Sequence, residues 1–267
     1  MKIVLITLVG LLLGLYLLAC WVFRVSHPSL LFHPESLPVD FAFDFPHSHQ
    51  EVVVREDSSG RLHGLLFTQP KPIGVVLYLH GNGGNVSQWG HLAPDFLSRG
   101  YDFLVYDYRG YGKSSGTNDE AILLADATAA YHFLWERYST LPVVVYGRSI
   151  GTGPAAYLAA TQPVAALALE TPYFSIPQLA GHYAPYLPYR WLLKYKLPTG
   201  EWAAAARCPV WVIHGTADEI IPYKNSEALV SLQPNLHLVS VPGGRHNDLS
   251  GYPQYEVFLD SLLGAKR

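Results

Sequence analysis

The sequence predicts an α/β fold: a mostly parallel central sheet with helices on both faces and a short aromatic-rich cap. Three observations predict it. Short apolar runs alternate with stretches of helical length through most of the chain. Several runs, such as Val75–Leu79 and Val143–Tyr146, are apolar throughout, as strands buried on both faces must be. The glycine-rich and polar turns that carry reactive side chains fall where those runs end, the edge at which open α/β sheets bind ligands.

The N-terminal segment, residues 1–24, reads as a membrane anchor or signal. Ile3 to Phe23 is 21 residues without a charge, and at 1.5 Å per residue it reaches about 31 Å, enough to span the hydrocarbon core of a bilayer. A retained single-pass helix is favoured, because Trp21-Val22-Phe23 continue the apolar run past any cleavage point. Lipidation at Cys20 of Leu17-Leu18-Ala19-Cys20, or cleavage after Ala19 and secretion, are the alternatives. Lys2 lies on one side and Arg24 on the other, which weakly places the following domain outside the cytoplasm. Residues 25–50, rich in Pro, His and Phe, have no period and read as an irregular arm packing on the domain or approaching the bilayer.

The domain is expected to span 51–265. Glu51–Arg55 and Leu62–Phe67 form an antiparallel hairpin around Asp57-Ser58-Ser59-Gly60. Strand and helix then alternate: Val75–Leu79, a helix near Trp89–Arg99, Tyr101–Tyr106, a helix near Asp119–Tyr138, Val143–Tyr146, a helix from Ile150, and Val164–Leu169. After an insertion at about 171–207 the pattern resumes with Val210–Ile213, a helix near Lys224–Leu232, Leu236–Val241 and a helix near Asp248–Leu263. The insertion holds Tyr173, Phe174, Tyr183, Tyr186, Tyr189, Trp191 and Tyr195 with few charges. It reads as a packed cap whose aromatics also suit an apolar acyl chain.

The chemistry concentrates at strand ends. Gly147-Arg148-Ser149-Ile150-Gly151 sits between a strand and a run of small residues, so Ser149 occupies the apex of a sharp strand-to-helix turn as a candidate nucleophile. The Ile150 amide then lies at a helix start, suited to a developing negative charge. A second match to the same pattern, Gly112–Gly116, is followed by polar Thr117–Glu120 and reads as loop; its likeness to a phosphate-binding loop fails because the first glycine would fall on Asp107. A serine needs a base and an orienting acid. Asp218, turning out of Val210–Ile213, is the candidate acid, with Glu219, Asp248 and Glu170 as rivals. His246, on the loop Pro242–Asp248, is the candidate base. His80-Gly81-Asn82-Gly83-Gly84-Asn85 follows the Val75–Leu79 run and can supply a second oxyanion donor: the Asn82 amide, with Gly83 close behind, paired with that of Ile150. His80 is expected to shape this loop, His214 to end a strand, and Asp126 to be structural.

Together HGNGGN, DYRGYGKSSG, GRSIG, HGTAD and the GGRHND loop resemble the α/β-hydrolase superfamily, most closely its membrane-anchored, bud-emergence-type abhydrolase branch, over about residues 50–265. The resemblance implies Ser149 as nucleophile, Asp218 as orienting acid and His246 as general base, in the chain order Ser–Asp–His of that superfamily. It implies a serine hydrolase acting on an ester, thioester or amide without a cofactor. Relatives include lipid hydrolases, depalmitoylating enzymes and, more distantly, peptidases. An acyl or lipid-like ester or thioester is the preferred substrate; a peptidase, and a non-enzymatic membrane-associated binding protein, are the alternatives.

Composition adds limits. A net charge of −3 and the lack of Lys/Arg blocks argue against nucleic acid as a partner. The pair His47 and His49 has no third ligand at suitable spacing, so a metal site is not expected. The two cysteines, Cys20 and Cys208, lie too far apart in character to suggest a disulfide.

Overall fold

The computed structural model of the chain describes residues 1–232 and 236–264; the expected domain end at residue 265 lies outside them. Helix α1 runs from Lys2 to Leu31. It therefore extends seven residues into the stretch expected to be irregular, through Pro28. Proline lacks the N–H that would bond the Arg24 carbonyl. The His27 ring supplies that bond: Nδ1 lies 3.2 Å from the Arg24 carbonyl while Nε2 accepts the Lys194 N–H at 2.9 Å, which fixes the proton on Nδ1. A side chain replaces the missing backbone donor, and the helix survives.

The hairpin β1 (His49–Asp57) and β2 (Gly60–Phe67) leads into β3 (Gly74–Leu79). The single helix expected near Trp89–Arg99 is instead α2 (Val86–Trp89), a tight turn at Gly90–Leu92, and α3 (Ala93–Leu97). Gly90 has no room for a side chain, since a Cβ there would sit 2.6 Å from the Phe45 ring, and Pro94 starts the next piece. There follow β4 (Tyr101–Tyr106), α4 (Glu120–Arg137), β5 (Val143–Arg148), α5 (Thr152–Thr161) and β6 (Ala166–Glu170). The insertion forms three short helices, α6 (Ile176–Tyr183), α7 (Tyr189–Leu192) and α8 (Thr199–Ala205). The chain closes with β7 (Val210–Gly215), α9 (Lys224–Leu232), β8 (His237–Val241) and α10 (Pro253–Leu263).

The eight strands lie in the order β1-β2-β4-β3-β5-β6-β7-β8. The β1–β2 and β2–β4 pairs are antiparallel and the remaining pairs parallel. Neighbouring residues on one strand face opposite layers. On β3, Leu77 packs with Leu104, Val145 and the α4–α5 residues Ala127, Ala130 and Ala155. Its neighbour Tyr78 packs with Phe103 and Tyr146 under Phe96 and Phe258. Helices thus cover both faces, as the continuous apolar runs require. Parallel pairing places Leu79 beside Gly147 and Gly215 beside Val241, so the loops after β3, β5, β7 and β8 share one edge.

Candidate active site

The turn after β5 is the tightest point of that edge. Ser149 has φ 52°, in the left-handed region that a side chain enters only at a cost of about 1–3 kcal/mol. The flanking glycines make room for it. A Cβ on Gly147 would lie 2.5 Å from the Gly151 carbonyl oxygen, and one on Gly151 would lie 2.1 Å from that of Leu79. The first turn after the strand is 3-10, Ser149–Gly151, and only then does α5 begin. The second match to the motif, Gly112–Gly116, is loop, and Ser114 is turned inward to the His63 N–H and the Asp107 carbonyl.

The three residues taken as nucleophile, base and acid meet at this edge. His246 Nε2 is 3.1 Å from Ser149 Oγ and its Nδ1 is 2.8 Å from Asp218 Oδ2. The loop that carries His246 is tied to its neighbours: the Ala217 N–H donates to the Gly244 carbonyl at 2.9 Å, and Asp248 Oδ1 accepts the Arg245 N–H at 2.7 Å. Gly215 lets the two loops touch, because a Cβ there would fall 2.2 Å from the Gly244 carbonyl oxygen.

Asp218 is surrounded by donors. Its Oδ1 accepts the N–H groups of Ile220 and Ile221 at 2.8 and 2.7 Å. Its Oδ2 lies 3.1 Å from His214 Nε2. Burial alone would raise this carboxyl, but the bonds from His214, His246 and the Ile221 N–H outweigh it and hold the group well below the ordinary carboxylate range. A permanent carboxylate keeps the His246 proton on Nδ1 and leaves the Nε2 lone pair facing the serine. The rivals lie elsewhere. Glu170 is buried under Tyr146 Oη at 2.6 Å and Arg148 Nε at 3.2 Å, while Glu219 and Asp248 bond the backbone and side chain of the His246 loop.

The loop after β3 is shaped from below. His80 Nδ1 lies 2.7 Å from the Gly81 carbonyl, and the planar trans peptide then turns the Asn82 N–H the opposite way. The Asn82 carbonyl accepts the His33 N–H at 2.9 Å and Tyr111 Oη at 2.7 Å. Burial pushes the His80 imidazole down to about 4 and the nearby Asp107 carboxyl up to about 8. The two face each other, 3.9 Å apart, under the loop.

Two residues of the site went unassigned by sequence reasoning. His214, read as a plain strand end, bonds Asp218 and also lies 2.6 Å from Ser226 Oγ through Nδ1. The signal was its i, i+4 spacing from the acid across a tight turn. Arg148 pairs with Glu170, lies over the Trp89 ring at 5.2 Å and donates to Asn247 Oδ1 at 3.2 Å. It joins the strand ends to the His246 loop, and an Arg and a Glu closing adjacent apolar strands was the legible hint. Asp126 is structural: it accepts Arg109 at 2.7 and 2.9 Å and Arg55 at 3.0 Å.

Ser149 stands between two cavities. One, of about 360 Å³, is apolar and reaches from Ser149, Ile150 and Asn82 to Tyr173, Ile176 and Leu179 of the cap. The other, of about 310 Å³, is more polar and brings Gly83, Trp89, Arg148, His246 and Asn247 around the same serine and Asn82. The first has a second wall that no sequence signal announced, formed by Phe23, His27, Leu30 and Leu31 of α1.

A parallel-sheet core, a serine on a strained strand-to-helix turn, and an acid and a histidine from later strand ends define the α/β-hydrolase class. Comparison with known proteins agrees: residues 74–201 match the profile of the alpha/beta hydrolase fold family, to which the chain belongs. It is 36% identical over 244 residues, 87% of this chain and 84% of the other, to an uncharacterized protein of Mycobacterium tuberculosis. It is 31% identical to the alpha/beta hydrolase domain-containing protein 17C of Xenopus tropicalis, over 85% of this chain and 76% of that one. Among solved structures, an esterase of Pyrococcus furiosus superposes with a TM-score of 0.68 at 16% identity, covering 88% of this chain and 97% of that one.

Proposed function

We propose that the chain is a serine hydrolase that cleaves an ester or thioester of an apolar acyl group through an acyl-serine intermediate. The observation that carries this reading is the unbroken line Asp218 Oδ2–His246 Nδ1 at 2.8 Å and His246 Nε2–Ser149 Oγ at 3.1 Å, ending beside an apolar cavity of about 360 Å³. His246 takes the Ser149 proton as the hydroxyl oxygen attacks the substrate carbonyl carbon. The resulting oxyanion is held by the N–H groups of Ile150 and Asn82, the second of them aimed by His80. His246 then passes the proton to the leaving oxygen or sulfur, and the acyl group stays on Ser149. Water enters from the polar side and loses a proton to His246 as it attacks the acyl carbon; the acyl–Oγ bond breaks, His246 returns the proton to Ser149 Oγ, and the acid leaves. The acyl chain lies in the cap cavity and the leaving group on the side of Trp89 and Asn247.

We read α1 as a membrane anchor. Its 18-residue apolar window has a mean hydropathy of 2.7 and is almost wholly uncovered by the rest of the chain. The domain is then on the non-cytoplasmic side, given Lys2 ahead of the span. Resistance to alkaline extraction, with protease reaching the domain only from the outer face, tests this.

The activity is tested with p-nitrophenyl esters of increasing chain length set against aminoacyl-nitroanilides. Ester turnover is expected to rise with chain length and to exceed anilide turnover. Ser149→Ala is expected to lose activity on the order of 10⁶-fold and all fluorophosphonate labelling. Preferred anilide cleavage, or undiminished labelling of Ser149→Ala, overturns the reading.

A further inference from the structure

The acyl cavity and the anchor share a residue. Phe23 closes the uncharged run Ile3–Phe23 and also opens the α1 wall of the cavity, which continues through His27 to Leu30 and Leu31. From Phe23 to Leu31 the helix rises about 12 Å. A run of 21 residues starting at Ile3 fills about 31 Å. If that run occupies the hydrocarbon core, the cavity begins at the plane where the hydrocarbon ends.

The cap follows α1 from inside this plane up to it. Tyr16 Oη donates to the Tyr186 carbonyl at 3.0 Å, and Arg24 Nη1 donates to those of Trp191 and Leu192 at 3.2 and 3.3 Å. Tyr16 lies about 20 Å along the helix from Ile3, so the cap meets α1 about 10 Å before the apolar run ends. Trp191, 82% exposed, stands beside Arg24, one residue past the apolar run, where an aromatic ring with a polar edge suits the interfacial layer of a bilayer. Tyr186, 89% exposed and joined to Tyr16, dips below that layer. The cavity also reaches the surface there: Leu30 and Tyr183 line it and are 61% and 59% exposed.

We propose that the cavity is entered from the membrane, between the last two turns of α1 and α6, and that its occupant is a long acyl chain esterified in the same leaflet. The anchor is then one wall of the substrate site as well as a tether. The chain slides past Phe23 and Leu30 with its tail still in the bilayer, and its carbonyl, at the depth of the headgroups, meets Ser149. This rests on the ester-hydrolase reading above and assigns that site its substrate class and route.

The test uses the full chain in phosphatidylcholine vesicles. A long-chain diacylglycerol, or a long-chain acyl thioester of a short peptide, is placed either in the same vesicles or in separate ones, with p-nitrophenyl butyrate as the water-soluble reference. Turnover of at least one long-chain substrate is expected to be more than about tenfold faster in the shared vesicle, and which one is cleaved identifies the leaving group. Phe23→Trp narrows the α1 wall by roughly the volume of one methylene and Leu30→Trp by roughly that of two. At about 0.8 kcal/mol for each methylene no longer buried, the ratio of long-chain to butyrate kcat/KM should fall about fourfold in the first and about tenfold in the second. Equal rates in shared and separate vesicles, or a ratio unmoved in both variants, overturns the proposal. Failure of the wild-type chain to turn over butyrate or to label with fluorophosphonate would instead remove the ester reading itself.

Discussion

His214→Leu separates the positioning of the acid from the chemistry of the base. In the wild-type site Asp218 receives four hydrogen bonds: two from backbone N–H groups on Oδ1, and those of His214 and His246 on Oδ2. Leucine removes one bond to a charged acceptor, worth about 1.5–3 kcal/mol, and leaves the fully buried Ser226 hydroxyl without the partner it meets at 2.6 Å. The expected loss of stability is on the order of 3 kcal/mol, which for a chain of this size lowers Tm by about 6–12 °C. Turnover should suffer separately, because a carboxylate free to rotate no longer fixes the imidazole. A fall of about 10- to 100-fold in kcat, with KM little changed, is expected. The pH dependence carries the signature. A carboxyl held below its unfolded value contributes stability that is complete above about pH 4 and is lost as pH falls through and below that value. The gap in stability between wild type and His214→Leu should therefore be widest near neutrality and shrink below about pH 4. Calorimetry from pH 3 to 7, with ester kinetics on the folded fraction, checks both. Unchanged kcat and Tm would refute the positioning role, and His214→Gln, which restores an N–H donor, should recover part of each.

Asp107→Asn is expected to flatten the stability profile: a carboxyl raised to about 8 by burial favours folding below about pH 4 and progressively loses that contribution up to about pH 8. The variant should gain Tm relative to wild type at pH 8 compared with pH 5, whereas a loss at both would mean an ionised pair with His80. Arg148→Met leaves Glu170 buried and uncompensated and should cost about 3–5 kcal/mol by denaturant unfolding, much of it restored by adding Glu170→Gln. Gly151→Ala drives a methyl group into the Leu79 carbonyl, 2.1 Å away, and should lower stability by about 3 kcal/mol or more and remove ester turnover with it.

The sheet was legible because burial on both faces forces apolar runs, and runs such as Val75–Leu79 and Val143–Tyr146 leave no other reading. The positions of Ser149, Asp218 and His246 followed from strand ends and glycines, since only bare backbone fits where Gly151 meets Leu79 and Gly215 meets Gly244. What was missed depends on contacts between distant segments. The passage of α1 through Pro28 requires a histidine ring already held by Lys194, far along the chain. The broken helix after β3 answers to Phe45, which packs against Gly90 from the arm. The second wall of the acyl cavity comes from a helix whose composition spoke only of membranes. His214 and Arg148 lie within the motifs themselves, yet their partners Ser226, Glu170 and Asn247 are brought near only by the fold.

The most direct measurement is the mass of the peptide that carries Ser149 after the enzyme is mixed with a p-nitrophenyl ester and quenched in acid within the first turnover. A covalent acyl increment on that peptide, absent in Ser149→Ala and persisting longer in His246→Ala once formed, is the expected result. Full ester turnover with the increment on another residue, or on none, contradicts the account.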